Sequence, residues 1–326
     1  MIRGVGKSGF GTGACIMQRA TFGRIATDHL RTREYYPISL GVLFPNALPA
    51  RACCAVKGLA IRPATLHEKR MSEDRQNEEH KNRVRLDQLL LNSGLVASRA
   101  RARDAIQRGT VKVDGRTVTK PSLAFAESVT ITIDDPAQDY VSRAALKLTA
   151  ALDHFALDPS GESCVDIGAS TGGFTEVLLK RGAEHVVAID VGHGQIHPRI
   201  ESDPRVTSIE GLNARAMTED DIDNRDVTFI VSDVSFISLK LALPPALEMA
   251  LSGAHCILLV KPQFEAGRDA ISKAGLLKDP DSAPAVAAEL ERWLVEDMGW
   301  QSLGLIPSPI AGGDGNVEFL LAGKKL

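Results

Sequence analysis

From residue 166 to 175 the chain reads Asp-Ile-Gly-Ala-Ser-Thr-Gly-Gly-Phe-Thr, a carboxylate followed by closely spaced glycines. Glycines at 168, 172 and 173 let a backbone turn sharply and come close to a bound molecule. A dinucleotide fingerprint needs GxGxxG, whose middle glycine admits a pyrophosphate, and Ser170 stands at that position. An acid opening such a loop suits a ligand that carries an amino-acid ammonium and no phosphate. S-Adenosylmethionine is such a ligand. Asp190 closes the next apolar run, where a carboxylate can accept hydrogen bonds from both ribose hydroxyls, a feature NAD would use equally well. The candidate cofactor-binding residues are Asp166, Gly168, Ser170, Thr171, Gly172, Gly173, Asp190, Asn213 and Asp233. Side chains added at Gly168 or Gly172 are expected to fill the ligand's volume. A bare strand-to-helix turn is the competing reading, and the loop and the second acid together weigh against it.

A methyl donor leaves the acceptor open between carbon, nitrogen and oxygen. Carbon-5 methylation of a pyrimidine needs a cysteine thiolate on a polar loop, whereas Cys164 and Cys256 lie inside apolar strands and read as core residues. Exocyclic-amine methylases usually carry an Asn/Asp-Pro-Pro-aromatic loop after the fourth strand, and this chain has Ser232-Asp-Val-Ser-Phe236 there, without proline. Oxygen remains. A ribose hydroxyl is a very weak acid, so its methylation calls for a proton acceptor, and a lysine shaped by burial and oriented by a carboxylate can serve. Asp233 follows the fourth strand, Lys261 follows the fifth, and Glu318 stands near the start of the last strand, which runs antiparallel and so begins at the same edge. Lys147, on the helix before the first strand, can approach from the side. Each could be a surface ion pair, the better reading for Lys147 taken alone. Together they place four alternating charges at one cleft, with Lys261 removing the proton, Asp233 and Glu318 setting its charge and orientation, and Lys147 positioning the nucleophile.

The elements that must carry these residues alternate. Apolar strands are expected at Cys164–Ile167, Val186–Ile189, Val206–Ile209, Val227–Ser232 and Cys256–Val260. Helices are expected over Val141–Phe155, after Gly172, over about Ser238–Ala250 and over about Ala283–Met298. Such βαβ alternation means a mostly parallel sheet covered on both faces. Ser302–Ile306 and Val317–Ala322 are joined by a Pro/Gly-rich loop without a helix, so the sheet ends in an antiparallel hairpin.

A smaller unit precedes this one, over 83–135, with a polar linker at 136–140. Leu86, Leu89 and Leu90 share a helical face that Gly94 ends. Ser98 is placed to cap a second helix running to about Gln107. Val111–Val113, turning at Asp114-Gly115, and the alternating Val129–Ile133 read as strands. Seven basic residues, Arg99, Arg101, Arg103, Arg108, Lys112, Arg116 and Lys120, share a span with only two acids, Asp104 and Asp114. That is an electrostatic footprint for phosphates, although a solvated basic helix would look similar. The candidate RNA-contacting residues are Arg85, Arg99, Arg101, Arg103, Lys112, Arg116 and Arg143. Aromatic residues are few, so backbone shape rather than base stacking is expected to carry recognition.

Composition sets the limits. With 44% hydrophobic and 24% charged residues, the 326-residue chain reads as a soluble globular protein of two domains. Its longest apolar runs are strand-sized, well short of the roughly 18–20 residues a membrane helix needs. Residues 1–70 hold eleven Lys/Arg against three Asp/Glu, a balance of +8 that leaves −11 on the rest of a chain whose formal charge is −3. RNA binding must therefore come from a local patch. Residues 1–82 read as a disordered or non-native extension rather than a working presequence, with Met71 a candidate alternative start. Three of the five cysteines precede residue 55 and make neither a disulfide framework nor a CxxC site, so a reducing, cytoplasmic setting is expected. His193 and His197 are four apart, but no third ligand or HExxH glutamate accompanies them, and no metal is expected.

Val141-Ser-Arg-Ala-Ala-Leu-Lys-Leu148, the 166–175 loop, Asp190-Val-Gly-His-Gly-Gln-Ile-His197 and Lys261-Pro-Gln-Phe-Glu265 resemble the TlyA (hemolysin A) family over about residues 80–326. The resemblance implies a class I, Rossmann-like methyltransferase sheet of the FtsJ-like type, preceded by a small α+β RNA-binding domain. That domain resembles one shared by a ribosomal protein, pseudouridine synthases and tyrosyl-tRNA synthetases. The resemblance further implies 2′-O-methylation of cytidine in ribosomal RNA, S-adenosylmethionine as methyl donor, and ribosomal RNA or subunits as partner. It places a Lys–Asp–Lys–Glu tetrad on Lys147, Asp233, Lys261 and Glu318. Residues 1–70 have no counterpart, and where well-studied members carry an Arg and a Trp in the linker this chain has Gln138-Asp-Tyr-Val141. Two rival functions are a membrane-active hemolysin and an RNA-binding protein that senses cofactor without catalysis.

Overall fold

The computed structural model describes residues 83–326; the basic extension expected over 1–82 lies outside the described residues. The first unit opens with β1 (Arg83–Arg85) and α1 (Leu86–Asn92), then α2 (Arg99–Gln107), β2 (Val111–Val113), β3 (Arg116–Thr117), β4 (Ala124–Ala126) and β5 (Ile131–Ile133). Leu86, Leu89 and Leu90 are buried on one face of α1, as their spacing requires. Ser98 caps α2 by accepting from the Arg101 amide, a bond of the kind that stabilises a helix by about 1 kcal/mol. Leu86, Leu90, Ala102, Ala105, Ile106, Val111 and Val113 form one small core. The strands make two little sheets rather than one. β1 pairs with β4, and β2 is flanked by β3 and β5, all antiparallel. The sequence pattern misses β1, β3 and β4 because strands of two or three residues are too short to show alternation.

The segment expected as a polar linker forms a 3₁₀ turn, Pro136–Asp139, with Ala137 buried. It leads to α3 (Ala145–Phe155), β6 (Ser163–Ile167), α4 (Gly173–Lys180), β7 (His185–Asp190), α5 (Pro198–Glu201), β8 (Val206–Glu210) and β9 (Val227–Ser232). After these come α6 (Leu239–Ala242), α7 (Pro244–Met249), β10 (Ala250–Val260), α8 (Pro262–Glu265), α9 (Ala283–Glu296), β11 (Trp300–Pro307) and β12 (Phe319–Lys325). The single helix expected over about 238–250 is two, because Pro244 has no N–H to continue the ladder and instead starts α7. The helix expected from Val141 begins only at Ala145.

The seven strands lie in the order β11-β12-β10-β9-β6-β7-β8. β10, β9, β6, β7 and β8 are parallel; β12 is antiparallel to both its neighbours. Strand order reverses between β6 and β9, which is where open α/β sheets bind ligands. The central strands are apolar on both faces. Val165, Ile167, Ile230, Leu258 and Val260 pack under α6, α7 and α9. Phe229, Val231, Ile257, Leu259 and Leu320 pack under α3 and α4. No helix of the described residues is long and apolar enough to cross a membrane.

Candidate active site

Strand alternation decides which side chains meet. Val260 and Phe319 are paired partners that face α9's side of the sheet, so Lys261 and Glu318, one residue beyond each, turn to the face that α3 covers. Asp233, two residues beyond Val231, turns the same way. Lys147 is buried on α3, over that face. The four charges form two pairs. Asp233 Oδ1 lies 2.6 Å from Lys261 Nζ, and Glu318 Oε2 lies 2.5 Å from Lys147 Nζ. Glu318 therefore bonds Lys147, not Lys261 as the sequence pattern suggests. Lys261 also donates to Ser235 Oγ at 2.7 Å, a partner the sequence pattern does not reveal. Gly312 shields Glu318 so closely that a Cβ there would sit 2.2 Å from Oε1.

Beside the Asp233–Lys261 pair, at the carboxyl ends of β6, β7 and β9, lies a cleft of about 540 Å³. Gly168, Ser170, Asp190, Asn213 and Asp233 line it; Asp166, Thr171, Gly172 and Gly173 do not. The Asp190 carboxylate accepts from the amides of Ser170 (2.8 Å) and Gly192 (2.7 Å), which folds two loops around it. Glu210, at the end of β8, accepts from Gly194 and Gln195 and pins the same wall. Ile167, Ile189, Val191 and Leu212 give the cleft its apolar surface. His193 packs its ring against Gly211, and His197 caps α5 through Nδ1, so both histidines serve the loop.

Asp166 lies fully buried beneath the loop and accepts from Thr175 Oγ1 at 2.6 Å. Its other oxygen has no hydrogen-bond partner. Burial pushes its carboxyl up to about 7, the neighbouring Asp233 adds to the rise, and Thr175 opposes it. The cleft volume, its apolar surface and the Asp190 carboxylate fit a molecule with a ribose and an apolar ring. The buried Asp166 carboxyl beneath the loop puts an acid near any cationic group of that molecule. The glycines work differently from the expectation. A Cβ on Gly168 would meet the Val234 amide nitrogen at 2.9 Å, and one on Gly172 would meet the Ile200 side chain at 3.0 Å. The chain itself, more than a ligand, excludes side chains there. Burial also drives the Cys164 and Cys256 thiols well above their ordinary range, so neither is a thiolate nucleophile.

A model of FtsJ-like methyltransferases matches residues 140–325, and a model of the S4 domain matches residues 84–128. The 16S/23S rRNA (cytidine-2′-O)-methyltransferase TlyA of Mycobacterium tuberculosis is 44% identical over 73% of this chain and 88% of its own length. The chain belongs to the TlyA family of FtsJ-like methyltransferases. Hemolysin A of Brachyspira hyodysenteriae is 37% identical over 73% of this TlyA-family chain and 98% of its own. A solved structure described as a hemolysin of Streptococcus thermophilus superposes with a TM-score of 0.58 at 37% identity, covering 75% of this chain and 89% of that one.

At the S4 domain the candidate arginines divide by role. Arg85, Arg99 and Arg103 gather around Asp87, and Lys112 and Arg116 lie exposed on the β2–β3 hairpin. Arg101 and Arg143 are engaged between the domains. Arg101 donates to the carbonyls of Ala137 (2.7 Å) and Tyr140 (2.6 Å), and Arg143 is bonded to Asp104. Phe236, named in the sequence only for the absence of a proline near it, is 90% exposed at the cleft mouth and holds a φ of 65°. Its ring leans on Phe264, 5.1 Å between centroids. An apolar residue inside a polar loop was the only signal for it.

Proposed function

We propose that this protein methylates the ribose 2′-oxygen of a cytidine in ribosomal RNA, using S-adenosylmethionine, with ribosomal RNA or a ribosomal subunit as its partner. The reading rests on one observation above all: Asp233, which lines the cofactor-sized cleft, holds the Lys261 ammonium at 2.6 Å. Gly168, Ser170, Asp190 and Asn213 would hold the cofactor, with Asp166 beneath them. When bound, it supplies an electrophilic methyl group on a sulfonium.

The chain's own part is to hold the acceptor and take its proton. Lys261 Nζ is fixed between Asp233 and Ser235 at 2.6 and 2.7 Å. Once its own extra proton has left to solvent, the neutral amine receives the 2′-hydroxyl proton as the oxygen takes the methyl group. The buried Lys147–Glu318 pair locks the start of β12 against α3 and lends a positive group to the acceptor side; breaking such a pair costs about 3–5 kcal/mol. Phe236 offers an exposed aromatic face on which the target base stacks. Orientation and fixed charge carry the rate. In the S4 domain, Arg85, Arg99, Arg103, Lys112 and Arg116 grip the RNA backbone.

The test is transfer of labelled methyl from S-adenosylmethionine to purified ribosomal subunits, followed by alkaline hydrolysis. Label in alkali-resistant dinucleotides identifies the 2′-oxygen as acceptor; label on mononucleotides overturns the assignment. Lys261→Ala should bind RNA and cofactor yet lose roughly 10²–10⁴-fold in turnover. Arginine should not rescue it, because a guanidinium keeps its proton. Full rescue by arginine would reduce Lys261 to a fixed positive charge.

A further inference from the structure

Three arginines of the S4 domain share one carboxylate. Arg85 donates to both oxygens of Asp87, through Nε at 3.0 Å and Nη2 at 3.1 Å. Arg99 and Arg103 each donate to Oδ2 through Nε, at 3.0 and 3.3 Å. The Asp87 side chain has 0% exposure, whereas the three arginine side chains keep 43%, 46% and 55%. The hydrogen bonds from Arg85, ahead of those from Arg99, hold the Asp87 carboxyl down to about 2 against the pull of burial.

One arginine would neutralise this acid. Two more leave a net charge of +2 facing solvent from a rigid base. Arg99 and Arg103 are one helical turn apart on α2 and spend only Nε on Asp87, and their terminal nitrogens have no acceptor among the described residues. A guanidinium held by one edge presents the other as a planar fork, the geometry that grips a phosphate in two places. Arg101, between them in sequence, is turned the other way toward the Ala137 and Tyr140 carbonyls.

We infer that Asp87 is a positioning residue for RNA, gathering Arg85, Arg99 and Arg103 into one clamp for backbone phosphates. The inference rests on the RNA-modifying function proposed above and deepens it. It sets a sign that simple electrostatics reverses. Removing a negative charge from a basic patch strengthens polyanion binding if charge alone matters. If Asp87 positions the forks, the same removal weakens binding even though the patch becomes more positive.

The experiment is filter binding of the full chain to purified ribosomal subunits across a range of KCl, with thermal unfolding followed in parallel. Asp87→Asn should lower affinity roughly tenfold, the scale of one charge-assisted hydrogen bond. It should also flatten the log–log salt slope by roughly 0.7–0.9 for each phosphate that the clamp no longer grips. Equal or tighter binding by Asp87→Asn, with the combined Arg85→Ala, Arg99→Ala and Arg103→Ala variant weakened, overturns the positioning role and leaves RNA recognition by this surface standing. Unchanged binding by that triple variant removes the surface from RNA recognition and the clamp with it. Should Asp87→Asn fail to fold, Arg99→Lys combined with Arg103→Lys decides. Charge is kept and the fork is lost, so weakened binding supports the clamp and wild-type affinity overturns it.

Discussion

Asp166 couples the cofactor loop to pH. Its carboxyl is raised to about 7 by burial, so the free protein holds it largely protonated below that value. A raised folded value means that the folded chain binds the proton more tightly than the unfolded chain does, whose carboxyl titrates near about 4. The stabilisation is full below that unfolded value and is lost as pH rises through about 7. A cationic ligand in the cleft above the buried Asp166 favours the ionised form through space, so binding should expel a proton and cofactor affinity should climb with pH up to about 7. Calorimetry near pH 6 in two buffers of different ionisation enthalpy measures this directly. Identical apparent enthalpies in both would show that Asp166 does not sense the ligand.

Among the elements, the turn from β6 into α4 is the part most intolerant of change. Gly168 has a φ of +84° and Gly172 a φ of +89°, values that side chains rarely adopt. The two differ in what an added methyl meets. At Gly168 it meets backbone of the Asp233–Val234 segment, which carries the carboxylate paired with Lys261; at Gly172 it meets the buried side chain of Ile200 and no backbone. Both alanine variants should lose about 1–3 kcal/mol of stability from strain. Gly168→Ala should also lose tenfold or more in cofactor affinity and in turnover, because it pushes Asp233 from its place, while Gly172→Ala should lose less of both. Thermal unfolding, cofactor titration and methyl transfer together check the ranking, and equal effects at the two glycines would count against it.

In the whole molecule, the S4 and catalytic domains are joined by a charged seam. Arg108 bridges Asp104 and Asp135, each at 2.7 Å, and Asp104 also holds Arg143. Lys180 donates to the Asp139 carbonyl and lies 4.0 Å from the centre of the Tyr140 ring, and the Val141 amide donates to Glu176 on α4. Arg101 closes the seam with its two carbonyl bonds. Arg101→Ala leaves both carbonyls without this partner, and bonds to a charged donor contribute about 1.5–3 kcal/mol each. The joint should open more often, and trypsin should cut after Arg143 roughly tenfold faster, with the catalytic domain's cofactor affinity unchanged. A cleavage rate equal to wild type would show that the seam holds without Arg101.

Periodicity and punctuation are local, and what depends on them was legible from the residues alone. The parallel strands, the antiparallel end, α9 and the caps at Ser98 and Gly172 follow from apolar spacing and from glycine or serine at the turns. The break in the helix before β10 also has a local cause, the missing donor of Pro244, within an apolar run that otherwise favours one helix. The arrival of Asp233, Lys261 and Glu318 at one edge follows from strand direction. Which charge bonds which does not. Lys147 and Glu318 are 171 residues apart, and Asp87 meets partners 12 and 16 residues further along. The exchange of Glu318 from Lys261 to Lys147, the turning of Arg101 away from its neighbours, and the docking of the linker through Ala137 were each decided in three dimensions. A charged side chain takes whichever opposite charge the packed elements bring within about 3 Å, and that choice depends on strand register and helix rotation, neither of which a charge pattern in one dimension contains.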